Sequence, residues 1–116
     1  MKARIAVLVS GGGTNLQALL DAQVAGALRS GEVVLVVSDQ PGAYALERAR
    51  SMGVEAAVLT EDFEAQLRDL LEARDIDLVV LAGFMRLLSA DFTAHFHRRI
   101  INVHPPLIPA SCGKSF

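Results

Sequence analysis

The sequence predicts an α/β domain built on a doubly wound, mostly parallel sheet. Short continuous apolar runs, typical of strands buried on both faces, alternate with segments whose apolar residues repeat at helical spacing. A glycine-rich turn joins the first apolar run to the first helical segment, as in the strand-turn-helix units of parallel sheets. No internal repeat, low-complexity segment or linker interrupts the sequence, so a single domain over residues 1–116 is expected.

The first half of the chain is predicted to contain three strands and two helices. Residues 5–9 form the first apolar run, and the helix at 15–25 follows with leucines at positions 16, 19 and 20 on one face. Residues 33–37 are a second strand of the buried type. The next helix places apolar residues at positions 45, 46, 49 and 52 before Gly53 supplies a stop. Residues 56–59 form a short third strand.

The second half continues the alternation with two helices and two strands. The third helix carries apolar residues at positions 63, 67, 70 and 71. It opens with Glu61 and Asp62 and ends near Arg74, which suits the helix dipole at both ends. Residues 78–82 are the fourth strand. Ser89 is expected to cap a short helix that runs to position 96, and residues 100–103 form the fifth strand.

The composition favours a soluble domain with a substantial core, because 52% of the residues are hydrophobic and the formal net charge is −2. No basic stretch offers a nucleic-acid-binding surface, and the apolar runs are far shorter than the roughly 20 residues of a membrane span. Nucleic-acid and membrane roles are therefore disfavoured. The single cysteine, Cys112, cannot form an internal disulfide, which fits a reducing compartment and predicts a cytoplasmic protein.

The glycine turn at residues 10–15, SGGGTN, has three interpretations. Free backbone amides and the helix dipole at the start of the following helix make a suitable site for a phosphate. Thr14 with Gln17 three residues later matches a capping box, which is compatible with phosphate binding. The dinucleotide fingerprint lacks its third glycine, since Leu16 stands there, although Asp39 after the second strand resembles a ribose-binding acid.

A second set of polar residues follows the later strands. Asn102 and His104 stand two residues apart where the fifth strand ends, so their side chains would project from one face into the crevice beyond the sheet. Arg86 lies in the loop after the fourth strand, shortly after Gly83, and is expected at the same edge. Taken singly, Arg86 is better explained as an ordinary surface charge and His104 as a hydrogen-bonded loop histidine.

The other histidines and the cysteine predict neither a metal site nor a nucleophile. His95 and His97 lie two residues apart at a helix end, so they point in different directions and lack a third ligand. Both are expected at the surface. Cys112 has no activating base beside it in the sequence.

Taken together, the motifs resemble phosphoribosylglycinamide formyltransferase in order and spacing, nearly from end to end. The matching segments are VLVSGGGTNLQALL at 7–20, LERA at 46–49, VVLAGFMRLLS at 79–89 and INVHPPLIP at 101–109. The Asn-x-His-Pro element is shared with other formyltetrahydrofolate enzymes, whereas the glycine turn combined with LAGFMR is more specific. The resemblance implies a Rossmann-like fold and transfer of a formyl group from 10-formyltetrahydrofolate to the amine of glycinamide ribonucleotide in purine biosynthesis.

The same resemblance assigns functions to individual residues. It implies that Gly13, Thr14 and Asn15 bind the ribonucleotide phosphate. The folate pocket would be formed by Asn102 and by a loop that pairs with the pterin ring largely through its backbone, made of Met85, Arg86, Leu87 and Leu88. Asn102 and His104 would stabilise the oxyanion that forms during transfer. No metal is implied, because the formyl donor is already activated and the nucleophile is an amine.

Several departures from the family pattern lead to a further expectation about this chain. The family keeps its catalytic histidine protonated with an aspartate in a later segment, which the chain lacks along with the strands that would flank the fifth one. Pro106 replaces a small residue, and no basic folate contact is evident at residues 60–62. We therefore expect the amino-terminal, ribonucleotide-binding part of a formyltransferase, inactive or weak alone.

Three alternatives stay open. The chain could be a non-catalytic binding or assembly fragment, since an exposed fifth strand invites pairing with a partner or with a second copy as a homodimer. Within the same chemistry, water could replace the amine in formyltetrahydrofolate hydrolysis, although the phosphate-type turn speaks against it. A dinucleotide-dependent oxidoreductase is the third and least favoured alternative.

Overall fold

The computed structural model describes residues 3–26, 31–84, 88–96 and 99–103, and every predicted helix and strand is present there. The elements in chain order are β1 Ala3–Val9, α1 Thr14–Val24, β2 Gly31–Ser38, α2 Tyr44–Ser51, β3 Glu55–Val58, α3 Phe63–Ala73, β4 Leu78–Ala82, α4 Ala90–His95 and β5 Ile100–Val103. The observed ends lie within two residues of the predicted ones, which is the scatter expected where helices and strands fray.

All the strand pairs in the described ranges are parallel, which confirms the predicted doubly wound sheet. The strand order is β3-β2-β1-β4-β5. β2 and β3 therefore follow one another outwards on one side of β1, and β4 pairs with the other side of β1. In such sheets ligands bind beyond the carboxyl ends of the strands where the order reverses, which here is between β1 and β4.

Apolar side chains cover both faces of the sheet, which explains why the central strands are continuous apolar runs. Alternate residues of β1 point to opposite faces, so Val7 packs towards α1 and α2, whereas Leu8 packs towards α3 and α4. The α1/α2 layer is built on Ile5, Val7, Val9, Leu16, Leu20, Val33, Val36, Ala45, Ala49, Val54, Val80 and Ala82. The α3/α4 layer is built on Ala6, Leu8, Leu35, Val37, Phe63, Leu67, Leu71, Ile76, Val79, Phe92 and Phe96.

An irregularity in β2 keeps both layers apolar. Ile5 pairs with Val33 but Ala6 pairs with Leu35, so one extra residue, Val34, is accommodated between them. Because side chains alternate with a period of two, this extra residue reverses which face the following residues occupy. Val33 therefore packs in the α1/α2 layer and Leu35 in the α3/α4 layer.

Two residues that were predicted to end or to cap a helix do so. Gly53 adopts a left-handed φ of 75° after α2, and its N–H donates to the carbonyl of Arg50 at 3.0 Å. The Ser89 hydroxyl accepts a hydrogen bond from the Phe92 N–H at 3.1 Å and so caps α4. Among the helices of the described ranges, none has both the length and the apolar character needed to cross a bilayer.

A bidentate ion pair ties β3 to the end of α3. The Arg74 Nε donates to Glu55 Oε1 at 2.8 Å, and Nη2 donates to Oε2 at 2.5 Å. The Arg74 carbonyl also accepts from the Arg4 Nε at 2.7 Å, which connects this corner to β1. The hydrogen bonds from Arg74 hold the pKa of the Glu55 carboxyl below its ordinary value.

We expect Glu55→Gln to lower the free energy of unfolding at neutral pH by a small amount, because the Arg74 and Glu55 side chains are 35% and 44% exposed and solvent screens the pair. A carboxyl with a depressed pKa in the folded state stabilises that state above the unfolded pKa of about 4.3 and loses this effect as pH falls through the folded value. The difference from the parent should therefore shrink below about pH 4. Urea unfolding between pH 7 and pH 3 measures it.

The matched control is Glu47→Gln, which breaks the exposed Glu47–Arg50 pair within α2. Both residues of this pair lie in α2, so its loss should lower the free energy of unfolding less than the loss of the Glu55 carboxylate does. A Glu55→Gln effect that stays constant from pH 7 to pH 3 would contradict the assignment to an ionised Glu55.

Candidate functional site

The turn after β1 and the loop after β4 meet at the carboxyl edge of the sheet. The Ser10 N–H donates to the carbonyl of Gly83 at 3.3 Å, which joins the two segments directly. β5 ends at this same edge, because Asn102 is in register with Leu81 of β4. The glycine turn, the β4 loop and the end of β5 are thus brought together as predicted from the topology.

Gly13 is the N-cap of α1, in a left-handed conformation with φ 81° and ψ 33°. The backbone here lies against α2, since a Cβ added to Gly13 would stand 2.7 Å from the Ala45 Cβ and 2.9 Å from the Ala45 Cα. The Ala45 N–H also donates to the carbonyl of Gly11 at 3.3 Å. Both the conformation and the close approach therefore require glycine at position 13.

The predicted capping box of Thr14 and Gln17 is wrong. Thr14 is already the first helical residue, and no side chain caps α1. The Gln17 amide group is used elsewhere, because its Nε2 donates to Asp21 Oδ1 at 2.9 Å and its Oε1 accepts from Arg48 Nη1 at 3.0 Å. The contact of Gly13 with Ala45 moves the cap one residue earlier, to a position that has no side chain.

The start of α1 presents backbone donors in place of a side-chain cap. The first helical hydrogen bond runs from the Gln17 N–H to the Gly13 carbonyl at 2.8 Å. The amides of Thr14, Asn15 and Leu16 precede it and have no acceptor within the helix. Thr14 is exposed and Asn15 is half-buried, so this end of the helix is accessible to a ligand. Such a terminus attracts an anion through its amides and its dipole.

Asp39 and Leu16 weigh against a dinucleotide site. Asp39 follows β2, and its Oδ1 accepts a hydrogen bond from the Ser10 hydroxyl at 2.9 Å, so the carboxylate contacts the glycine turn. Leu16 stands where the dinucleotide fingerprint has its third glycine, and it is fully buried in the α1/α2 layer. A leucine here fills the space that the glycine leaves open for close packing of helix and strand.

The residues expected to bind folate and to catalyse transfer are only partly visible. Asn102 is exposed and lies on the face of the sheet that carries the α3/α4 layer, because it is in register with Leu81. Leu88 is half-buried and packs against that layer. The remaining predicted residues, His104, Met85, Arg86, Leu87 and Pro106, lie outside the described residues.

Both ends of the predicted folate loop are anchored to α3. The Phe84 ring packs against the Phe63 ring with centroids 5.5 Å apart. On the other side, the Ser89 N–H and hydroxyl both donate to the carboxylate of Glu64 at 2.6 Å. The Leu88 side chain, between these two contacts, packs against the α3/α4 layer.

Arg48 is a site residue that the sequence reasoning missed. It lies on α2, where its Nε donates to the Gly12 carbonyl at 2.7 Å and its Nη1 donates to Gln17. Helical spacing could have identified Arg48. It lies three positions after Ala45 and therefore on the same face of α2, and this face contacts the glycine turn.

His95 is exposed, as predicted, with its Nε2 3.5 Å from Glu72 Oε2. His97 lies outside the described residues, as does Cys112. Within the described ranges, no three histidine, cysteine, aspartate or glutamate side chains are grouped so that they could hold a metal ion.

Residues 3–115 match the family described as formyl transferase. The phosphoribosylglycinamide formyltransferase of Escherichia coli (strain K12) is 43% identical over 116 residues, which cover 94% of this chain and 54% of that protein. The crystal structure of glycinamide ribonucleotide transformylase 1 from Symbiobacterium toebii has a TM-score of 0.83 at 46% identity, over 94% of this chain and 54% of that one. The chain therefore spans about half the length of these bacterial relatives.

A formyltetrahydrofolate deformylase from Pseudomonas putida KT2440 is also similar in structure. Its TM-score is 0.81 at 27% identity, over 90% of this chain and 38% of that one. The identity is lower than that of the Symbiobacterium toebii structure, which favours the ribonucleotide enzymes as the nearer group.

We expect Gly13→Ala to lower the free energy of unfolding by about 2 kcal/mol or more. The left-handed conformation alone costs an alanine about 1–2 kcal/mol, and the new Cβ overlaps the backbone of Ala45. Gly12→Ala is the matched control, because a Cβ at Gly12 meets no atom within 4 Å. Urea denaturation of both variants measures the difference, and equal stabilities would contradict the close packing of the turn on α2.

Proposed function

The chain belongs to the formyl transferase family, and from that premise we propose that it is the ribonucleotide-binding part of a phosphoribosylglycinamide formyltransferase. The proposed reaction transfers the formyl group of 10-formyltetrahydrofolate to the amine of 5'-phosphoribosylglycinamide in purine biosynthesis, a cytoplasmic process. The observation that carries the proposal is the start of α1, which has no side-chain cap. The hydrogen bond between Ser10 and Gly83 links the turn before this helix to the loop after β4.

Gly13, Thr14 and Asn15 are proposed to bind the phosphate of the ribonucleotide. The support is physical, because unpaired amides and a helix dipole converge on the accessible end of α1. The glycine at position 13 lets the turn pack closely on α2 in the left-handed conformation from which α1 begins.

Asn102 and His104 are proposed to stabilise the transition state. When the substrate amine attacks the formyl carbon, negative charge develops on the formyl oxygen. The Asn102 side chain can donate an N–H to this oxygen, and a protonated His104 can donate a charge-assisted hydrogen bond. As the bond between the formyl carbon and the folate nitrogen breaks, His104 would pass its proton to that nitrogen, and the attacking amine, which becomes an amide, would give up one proton in return. A donor of this kind lowers the barrier by about 3 kcal/mol.

The proposed acid requires a partner that keeps it charged. An imidazole with a pKa near 6.5 is mostly neutral at pH 7, so a nearby carboxylate is needed to favour the charged form. The family resemblance implies an aspartate in a later segment, and the bacterial relatives extend well beyond the matched half. We therefore propose that the 116 residues transfer formyl groups weakly, if at all, without that segment.

The end of the sheet offers a second candidate role in assembly. β5 pairs with β4 on one side, and within the described ranges no strand pairs with its other edge. Ile101 on this strand is 48% exposed, which is unusual for a large apolar residue of a sheet. An apolar strand edge favours pairing with further strands, whether from a continuation of the fold or from a second copy in a homodimer.

Formyl transfer to glycinamide ribonucleotide should be assayed for the 116-residue chain alone and mixed with the carboxy-terminal remainder of the Escherichia coli relative. We expect little transfer from the chain alone and measurable transfer from the mixture. His104→Ala in the mixture should abolish it. Full activity from the chain alone would contradict the need for a later carboxylate, and release of formate without transfer would favour hydrolysis instead.

Asn15→Ala should weaken the affinity for glycinamide ribonucleotide by about tenfold, because it removes the side-chain amide that would donate to the phosphate. A hydrogen bond to a charged group contributes about 1.5–3 kcal/mol. Isothermal titration calorimetry measures the change. Val24→Ala is the control, because Val24 is exposed at the opposite end of the same helix. An affinity unchanged by Asn15→Ala would contradict the assignment of the Asn15 side chain as a hydrogen-bond donor to the phosphate.

A further inference from the structure

Arg48 connects α2 to both parts of the glycine turn. Its Nε–H donates to the carbonyl of Gly12 at 2.7 Å, and its Nη1 donates to the side-chain oxygen of Gln17 at 3.0 Å. The Tyr44 ring lies against the guanidinium, with its centroid 4.9 Å from Cζ. Two hydrogen bonds and a ring contact together fix both the position and the plane of this group.

The hydrogen bond to Gly12 also determines where the Gly13 amide points. The carbonyl of Gly12 and the N–H of Gly13 belong to one planar trans peptide, so they point in opposite directions. Because Arg48 holds the carbonyl towards α2, the Gly13 N–H is directed away from α2. Glycines have wide conformational freedom, and without this contact the peptide could rotate and bring its carbonyl oxygen to the side an anion approaches.

Arg48 also supplies positive charge that the turn itself lacks. Residues 10–15 contain no basic side chain, and the Asp39 carboxylate contacts Ser10 at the start of the turn. An anion bound at α1 would be repelled by that carboxylate and attracted by the guanidinium. The bond to Gln17 places the cation against the first turn of α1, beside the helix bond from Gln17 to Gly13.

We propose that Arg48 is a positioning residue that orients the Gly12–Gly13 peptide for phosphate and thereby sets the preference for a phosphorylated substrate. This inference rests on the proposed function, because it assumes that the phosphate binds at the start of α1. Arg48 acts through the turn, so its loss should affect the phosphate-dependent part of binding and leave the formyl donor's site unchanged.

The test uses the 116-residue chain mixed with the carboxy-terminal remainder of the Escherichia coli relative, and it compares glycinamide ribonucleotide with the corresponding riboside without phosphate. The ratio of their dissociation constants measures the preference for phosphate. Arg48→Met should reduce this ratio at least tenfold by weakening the ribonucleotide alone. It should also raise the KM for the ribonucleotide while the KM for the formyl donor stays constant. Arg50→Met is the matched control on the same helix, because Arg50 is exposed and its ion-pair partner is Glu47.

Arg48→Lys separates geometry from charge and guards against misfolding of the methionine variant. Lysine keeps the charge but lacks the fork that reaches Gly12 and Gln17 together, so we expect the ratio to fall at least threefold. A folded Arg48→Met or Arg48→Lys protein with the parent ratio would overturn the inference. If the parent protein itself bound both ligands equally, phosphate binding at the glycine turn would be contradicted. That result would overturn the proposed function and is distinct from a failure of the Arg48 variants to change the ratio.

Discussion

β1 pairs in parallel with both β2 and β4, and this pairing controls where the segments of the candidate site lie. Because all three strands run in the same direction, their carboxyl ends lie at one edge, and every segment that leaves them begins there. The glycine turn, the contact of Asp39 with Ser10 and the link from Ser10 to Gly83 follow from this arrangement. β1 can occupy the centre because its side chains are apolar towards both helical layers.

The start of α1 is shaped by α2 as much as by its own sequence. Ala45 leaves no room for a side chain at Gly13, and Arg48 holds the Gly12 carbonyl. These contacts replace the side-chain cap that many helices use, so the backbone amides at this end stay accessible. The lack of a side-chain cap at the start of α1 is thus offset by tertiary contacts with α2.

The far side of the sheet is less complete within the described residues. β4 is covered on both faces and lies between β1 and β5, whereas β5 is an edge strand with Ile101 and Asn102 exposed. The proposed catalytic amide thus lies next to a strand edge suited to further pairing. The chain spans about half the length of the Escherichia coli and Symbiobacterium toebii relatives.

Local patterns in the chain are enough to predict the strands, the helices and the sheet edge that carries the candidate site, because apolar periodicity and glycine positions depend only on neighbouring residues. Val7 and Leu8 are both buried as their continuous run predicts, and Ser89 caps its helix with its own hydroxyl. The cap of α1, the extra residue at Val34 and the contacts of Arg48 with the glycine turn are set by tertiary packing instead. Each depends on a partner distant in the chain, and no pattern within Thr14-Asn15-Leu16-Gln17 contains the Ala45 and Arg48 that overrule the capping box.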